Sequence, residues 1–275
     1  MSQPVTIQTV MQRVKENLGA PWKPDSKDKL YAGSDDTQVT GIVTTFAPNI
    51  DILHRAVEAK ANLVICRESP YWIHEGYAGG GASNTQDLLS KDPAYASKRD
   101  FIQSHGIAIW KFSDNWQSRK PDGQLTGLAR ALGWEKHQAA AGSAHFKLPA
   151  STAQSLADDI EKRLKIQGLR VIGDPRCQIS NVALMPGLVT VAGIGAALKD
   201  SSIDAVVVGE PVEWEAAPYF EDVIASGQKK AMLIIGQQAS EEPGCGEVAT
   251  WMKSFIPEVR VEWLAAPDPF WIVKG

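Results

Sequence analysis

The segment running from Leu63 to Trp72, LVICRESPYW, decides the fold. Four apolar residues lead straight into an adjacent Arg67–Glu68 pair, then Pro70 and two aromatics. A short unbroken apolar run of this kind reads as a strand buried on both faces, the habit of parallel sheets. Opposite charges at its carboxyl end stand where open α/β sheets place their ligands. The same text recurs later as VVVGEPVEW, with Glu68 falling on Glu210 and Trp72 on Trp214, both at an offset of 142. Upstream, QVTGIVTTFAP from Gln38 matches QISNVALMPG from Gln178 at an offset of 140.

Outward from these segments, apolar runs alternate with amphipathic stretches, as in βα units. The runs GIVTTF, NLVIC, IAIWKF, LRVIG, ISNVALM, DAVVVG, AMLIIG and VRVEWL read as strands. Helices are expected to begin near Val5, Ile50, Pro93, Gly123, Ser151, Val191, Glu215 and Gly244. Ser151 is the expected cap of its helix, with Gln154 closing a capping box. The fold expected is α/β, with two similar, pseudo-duplicated lobes, residues 1–144 and 145–275, and a cleft between them. The second lobe opens with a strand-helix-strand linker from about His145 to Gly173.

With 275 residues the chain is long enough for a sizeable core, and 44% hydrophobic with 22% charged residues is the profile of a globular protein. A net charge of −4 supplies no basic footprint for nucleic acid. No apolar run approaches the roughly 20 residues that span a bilayer, so no membrane partner is expected. The first residues read as an amphipathic helix rather than a signal-peptide core. Cys66, Cys177 and Cys245 lack paired spacing, which points to small core residues in a reducing, cytoplasmic setting.

Weaker signals remain. GIGAAL at Gly193–Leu198 lacks the third glycine of a dinucleotide turn and reads as helix-start packing. GGGAS at Gly79–Ser83 reads as a flexible loop or lid. Trp72, Trp116 and Trp214, beside the motif positions, can stack on a flat ligand or fill core and interface. No histidine stands at a nucleophile-activating spacing from Ser113, Ser240 or Cys66.

At CRESPYW, KFSDNWQSRKPDGQLTGLARALGW, GEPVEW and LIIGQQASEEPG the chain resembles the NGG-one-interacting-factor-three-like family, also called GTP cyclohydrolase 1 type 2 homologs. The resemblance implies two α/β lobes, a toroidal homo-hexamer and two divalent metals held between the lobes. Position by position, the family's His-His or His-Glu doublet is here Arg67-Glu68. Its segment after the third strand reads Ser113-Asp114-Asn115-Trp116-Gln117, and its Gly-His motif reads Gly236-Gln237, with Glu241 still in place. Of the five histidines, His54, His74, His105, His137 and His145, all lie outside these motifs, and His74 alone is near enough in sequence to reach the site.

Arginine cannot ligate a cation, and amide oxygens are weak, hard ligands. Hence no transition metal and no cofactor is expected. The ligand-binding candidates are Arg67, Glu68, Asp114, Gln117, Glu210, Gln237 and Glu241, with Arg67 replacing the metal charge among carboxylates and a small polar or anionic molecule bound in the cleft. The alternative is a hydrolase with Mg, Mn or Ca held by Glu68, Asp114 and Glu241.

Overall fold

A computed structural model describes residues 4–72 and 89–273 of the chain. His74 and the glycine-rich Gly79–Ser83 segment lie outside the described residues. The chain forms two compact units, one of residues 1–120 with 245–266, the other of residues 121–244 with 267–275.

The first unit holds a five-stranded sheet of β1 (Lys29–Ala32), β2 (Gly41–Thr45), β3 (Leu63–Cys66), β4 (Ala108–Lys111) and β10 (Arg260–Trp263), in the order β1-β4-β3-β2-β10. All neighbours pair in parallel except β1, which runs antiparallel on β4. Strands β2, β3 and β4 are buried at every residue, as an apolar run covered on both faces requires. One face carries α2 (Ile50–Glu58) and α3 (Pro93–Ser104), whose Leu53, Ala56 and Ile102 join Val43, Val64, Cys66 and Ile109 in one core. The other face is covered by α1 (Ile7–Asn17) together with Val248, Ala249, Met252 and Ile256. Thr6 caps α1 by accepting from the Thr9 N–H at 3.2 Å.

The second unit's sheet has the order β5-β7-β8-β9-β6, from β5 (His145–Thr152), β6 (Arg170–Ile172), β7 (Gln178–Val189), β8 (Ala205–Pro211) and β9 (Ala231–Ile234). Its central three strands are parallel and both edges antiparallel. The duplication read in the sequence is present in strand register. Ile42 pairs with Leu63 and Leu63 with Ala108, while Val182 pairs with Ala205 and Ala205 with Ala231. The first two positions of each trio lie 140 and 142 residues from their counterparts, the offsets of the sequence match.

The units do not coincide with the expected lobes 1–144 and 145–275. Helix α5 (Gly123–Ala131), expected in the first lobe, belongs to the second unit. Strand β10 and the second half of α9 (Gln237–Met252), which follow the second sheet, belong to the first. Each half thus completes the other's core.

Local expectations differ at four points. The helix expected near Gly244 starts at Gln237, directly after Gly236 at φ +90°, with Pro243 tolerated inside it. The Ser151 capping box does not form, because β5 continues through Thr152 and Ser151 pairs with Ile179. Thr152 caps α6 (Ala153–Leu164) instead, and Gln154 bonds Asp158. Strand β1 and the five-residue α4 (Asp114–Ser118) were not expected. Helix α7 (Val191–Leu198) begins where expected, and α8 (Glu213–Ala225) two residues earlier than Glu215.

Candidate functional site

The first unit carries four of the candidate residues at the carboxyl ends of its parallel strands. Beyond Cys66 the chain turns over β2, with the Arg67 N–H donating to the carbonyls of Thr45 and Phe46 and the Glu68 N–H to Phe46 at 2.8 Å. That turn fixes both side chains, and Arg67 Nη1 lies 3.2 Å from Glu68 Oε1. The pair is largely withdrawn from solvent, with side chains 15% and 13% exposed. It is therefore not the solvated surface pair that adjacent Arg and Glu usually form.

Asp114 and Gln117 sit on α4, a helix too short to persist on its own. Ser113 provides no side-chain cap. The Asp28 carboxylate does so from far away in sequence, accepting from the N–H groups of Ser113 at 2.7 Å, Asp114 at 2.9 Å and Asn115 at 3.0 Å. A carboxylate at a helix N-terminus is stabilised by those amides and by the dipole. Asn115, fully buried, ties the same Asp28 to Ser26 and accepts from the Lys23 N–H. Asp28 was not among the sequence candidates, because nothing local couples it to position 114.

Burial works to raise the Asp114 carboxyl. The Lys27 N–H, the Lys111 charge, the Ser113 hydroxyl and the Arg67 charge outweigh it and hold the pKa below the ordinary carboxylate value. Arg67, Glu68 and Asp114 thus form one electrostatic group in this unit. Trp116, named as a possible stacking platform, is 1% exposed and belongs to an aromatic core with Phe112 and Trp251, and Arg119 lies 4.9 Å from both indoles. Trp72, by contrast, is half exposed at φ +67°, a conformation bulky side chains rarely adopt.

In the second unit Gln237 and Glu241 share one face of α9, and Gln237 Nε2 donates to Glu241 Oε2 at 3.3 Å. Glu241 is fully buried. It rests on a bulge in β7, where the register against β8 shifts between Met185 and Leu188. Gly187, at φ +78° in that bulge, donates its N–H to Ser240 Oγ at 2.9 Å, and a Cβ there would lie 2.9 Å from Glu241 Oε1. Bulges commonly re-aim side chains beside functional sites. Glu210 occupies in β8 the register position that Glu68 holds after β3, but it is exposed. The counterpart of Arg67 is Gly209, where a Cβ would stand 2.4 Å from the Gly187 carbonyl oxygen. The two strand tips correspond, and only one of them has room for a charged side chain beside its glutamate.

The metals implied by the family resemblance require imidazole or carboxylate donors. Position 67 supplies a guanidinium, which no metal accepts, and the Gln237 amide nitrogen is directed at Glu241. Among the described residues no group of three or more His, Cys, Asp and Glu is arranged to hold a metal ion. The donor set does not fit a dinuclear transition-metal centre. No helix among the described residues is long and apolar enough to cross a membrane.

Two five-stranded α/β sheets in duplicate register, each with a charged or buried carboxylate beside its strand ends, define a duplicated α/β protein. The chain belongs to the Duf34/NIF3 (NGG1p interacting factor 3) family, whose sequence model matches residues 5–269. Its fold is similar to that of protein ybgI, of unknown function, at a TM-score of 0.71 and 19% identity over 97% of this chain and all of that one. A Bacillus cereus protein related to NIF3 matches at 0.70 and 13%, covering 99% of this chain and 100% of its own. A Staphylococcus aureus hypothetical protein, SA1388, matches at 0.69 and 16%, covering 98% and 100%. No curated protein matches the sequence.

Proposed function

We propose that this family member carries a degenerate metal centre in which Arg67 supplies the positive charge, and that it binds a small polar or anionic molecule there rather than a metal ion. The observation that carries the reading is the secluded Arg67–Glu68 pair at the end of β3, with Asp114 under the influence of the same guanidinium. Guanidinium is permanently charged and matches carboxylate and phosphate groups by a planar fork, so it suits an anion better than a lysine would. The competing reading is a hydrolase that uses Mg, Mn or Ca on carboxylate oxygens.

Elemental analysis of the purified protein separates them. Less than one equivalent of Zn, Fe, Ni, Mn, Mg or Ca per chain is the expected result, and about two tightly held ions would end the proposal. Arg67→Ala adds a second measurement. Asp114 is depressed in the folded state, so it contributes stability above its unfolded pKa, and that contribution is lost as pH falls through the folded value. Removing Arg67 withdraws part of the depression. The variant's melting deficit should be largest near pH 7 and shrink below about pH 4. Equal melting temperatures at both pH values would make Arg67 electrostatically idle.

The same reading includes self-association, as a homo-hexamer. Trp214, Phe270 and Trp271 are 79%, 71% and 75% exposed, and aromatic side chains in that state are characteristic of surfaces buried between copies. Light scattering coupled to size exclusion should give six times the chain mass. A monomer at micromolar concentration contradicts it.

A further inference from the structure

On the α2/α3 face of the first sheet, side chains at the strand ends change from apolar to polar while remaining buried. Thr45, Cys66 and Lys111 are register partners across β2, β3 and β4, so they stand side by side on one face, roughly 5 Å apart from strand to strand. Lys98 reaches the same place from α3, one turn before Ile102, which packs into that face's core. Thr45, Lys111 and Lys98 are 0%, 2% and 3% exposed.

Their bonding is incomplete for groups so deeply placed. Thr45 Oγ1 is buried with no hydrogen-bond partner among the described residues. Lys111 Nζ donates to Ser113 Oγ at 2.7 Å, and Lys98 Nζ donates to the Pro70 carbonyl, with the Trp72 ring centroid 5.4 Å away. Neither lysine forms an ion pair with a carboxylate among the described residues. Asp28 is occupied with three backbone N–H groups, and Asp114 accepts from Lys27 and Ser113. Buried cations are ordinarily paired, because leaving one alone costs several kcal/mol, of order 3–5 in measured cases. Burial pushes the Lys98 ammonium down to about 8 and the Cys66 thiol up to about 12, so the thiol adds no negative charge.

We infer that Lys98, Lys111 and the Thr45 hydroxyl form a small-oxyanion subsite under the Ser69–Trp72 turn, taking a phosphoryl or carboxylate group of a ligand. Two ammonium donors and one hydroxyl donor match three oxygens of such a group, and open α/β sheets bind ligands at this end of their parallel strands. The Lys98–Pro70 contact closes the site and gives way when the anion enters. The subsite uses none of the residues of the Arg67 proposal, and the two can fail separately.

Thermal melting at constant ionic strength, with inorganic phosphate or acetate replacing chloride, tests it. Millimolar phosphate, acetate or both should raise the wild-type melting temperature by about 3 °C or more. Phosphate alone identifies a phosphoryl site, and acetate alone a carboxylate site. Lys111→Met should lose the anion response; it also withdraws a charge that holds the Asp114 carboxyl down, so its melting temperature in chloride should fall near pH 7 and by less below about pH 4. Thr45→Val, nearly isosteric, should fold like wild type and lose most of the response, which keeps the test open should Lys111→Met fail to fold. Two results overturn the subsite. One is no response to either anion, and the other is an unchanged response in Lys111→Met or Thr45→Val. A response abolished by Arg67→Ala yet intact in these variants would leave the Arg67 proposal standing alone.

Discussion

Residues 1–144 and 145–275, produced as separate polypeptides, are expected not to fold. The first would lack β10, which pairs with β2 over four residues, and with it Val248, Met252, Ile256 and Val261 of the core. Burying side chains of this size contributes about 1.5–3 kcal/mol each, so these four are worth roughly 6–12 kcal/mol. A whole domain is stable by only about 5–15 kcal/mol. The second fragment would lose Leu125, Leu128, Leu132 and Trp134, all at most 5% exposed in its core. Neither remainder has stability to spare. Circular dichroism of each fragment should show little cooperative melting, while coexpression of the two should restore a native-like transition. A sharp transition from fragment 1–144 alone would refute the exchange of core elements between halves.

Gly209→Ala is expected to lower stability by about 3 kcal/mol, at the upper end for an overpacked site. The new methyl would meet the Gly187 oxygen at 2.4 Å, Ser240 Oγ at 2.5 Å and the Gly187 nitrogen at 2.6 Å. Two of those atoms are backbone and cannot rotate away. The β7 bulge must therefore move, taking the Gly187–Ser240 hydrogen bond with it and disturbing the surface on which Glu241 rests. Thermal melting should show a loss of about 6–12 °C for a domain of this size. A change under 2 °C would mean that the bulge yields without cost and does not fix Glu241. Gly195→Ala, whose nearest neighbour is the Tyr219 hydroxyl at 3.4 Å, is the control and should be nearly neutral.

The legible part of the fold was whatever local pattern controls. Strands β2, β3, β4 and β9, buried at every residue, announce themselves as apolar runs, and all eight segments read from the sequence are strands. The paired offsets of 140 and 142 survive as strand register because a slip would unseat buried side chains. What escaped depends on distant partners. The edge strand β1 has four half-buried residues and hence no alternation to read. Helix α4 exists because Asp28 caps it from 85 or more residues away. The early start of α9 was hidden by Pro243, whose missing N–H normally argues for a break. For the site, Glu68 was one of three carboxylates read as partners for Arg67 and lies 3.2 Å from it, whereas the hydrogen bond from Gln237 to Glu241 was not read from the sequence. The burial of Lys98 and Lys111 could not be read, since lysine is among the residues least often buried.

The late arrival of β10 also sets a timetable. As the chain leaves the ribosome, β2 is complete at Thr45, but the strand that covers its outer edge ends at Trp263. At about 5–20 residues per second, that edge waits roughly 10–40 s for its partner. Throughout this interval GIVTT offers unpaired backbone groups on an apolar strand, the condition in which nascent chains pair with one another. Faster growth at higher temperature, or a dense polysome, brings more such edges together at once. Yield in recombinant expression should therefore be governed less by the finished protein's stability than by how long its first sheet stands open.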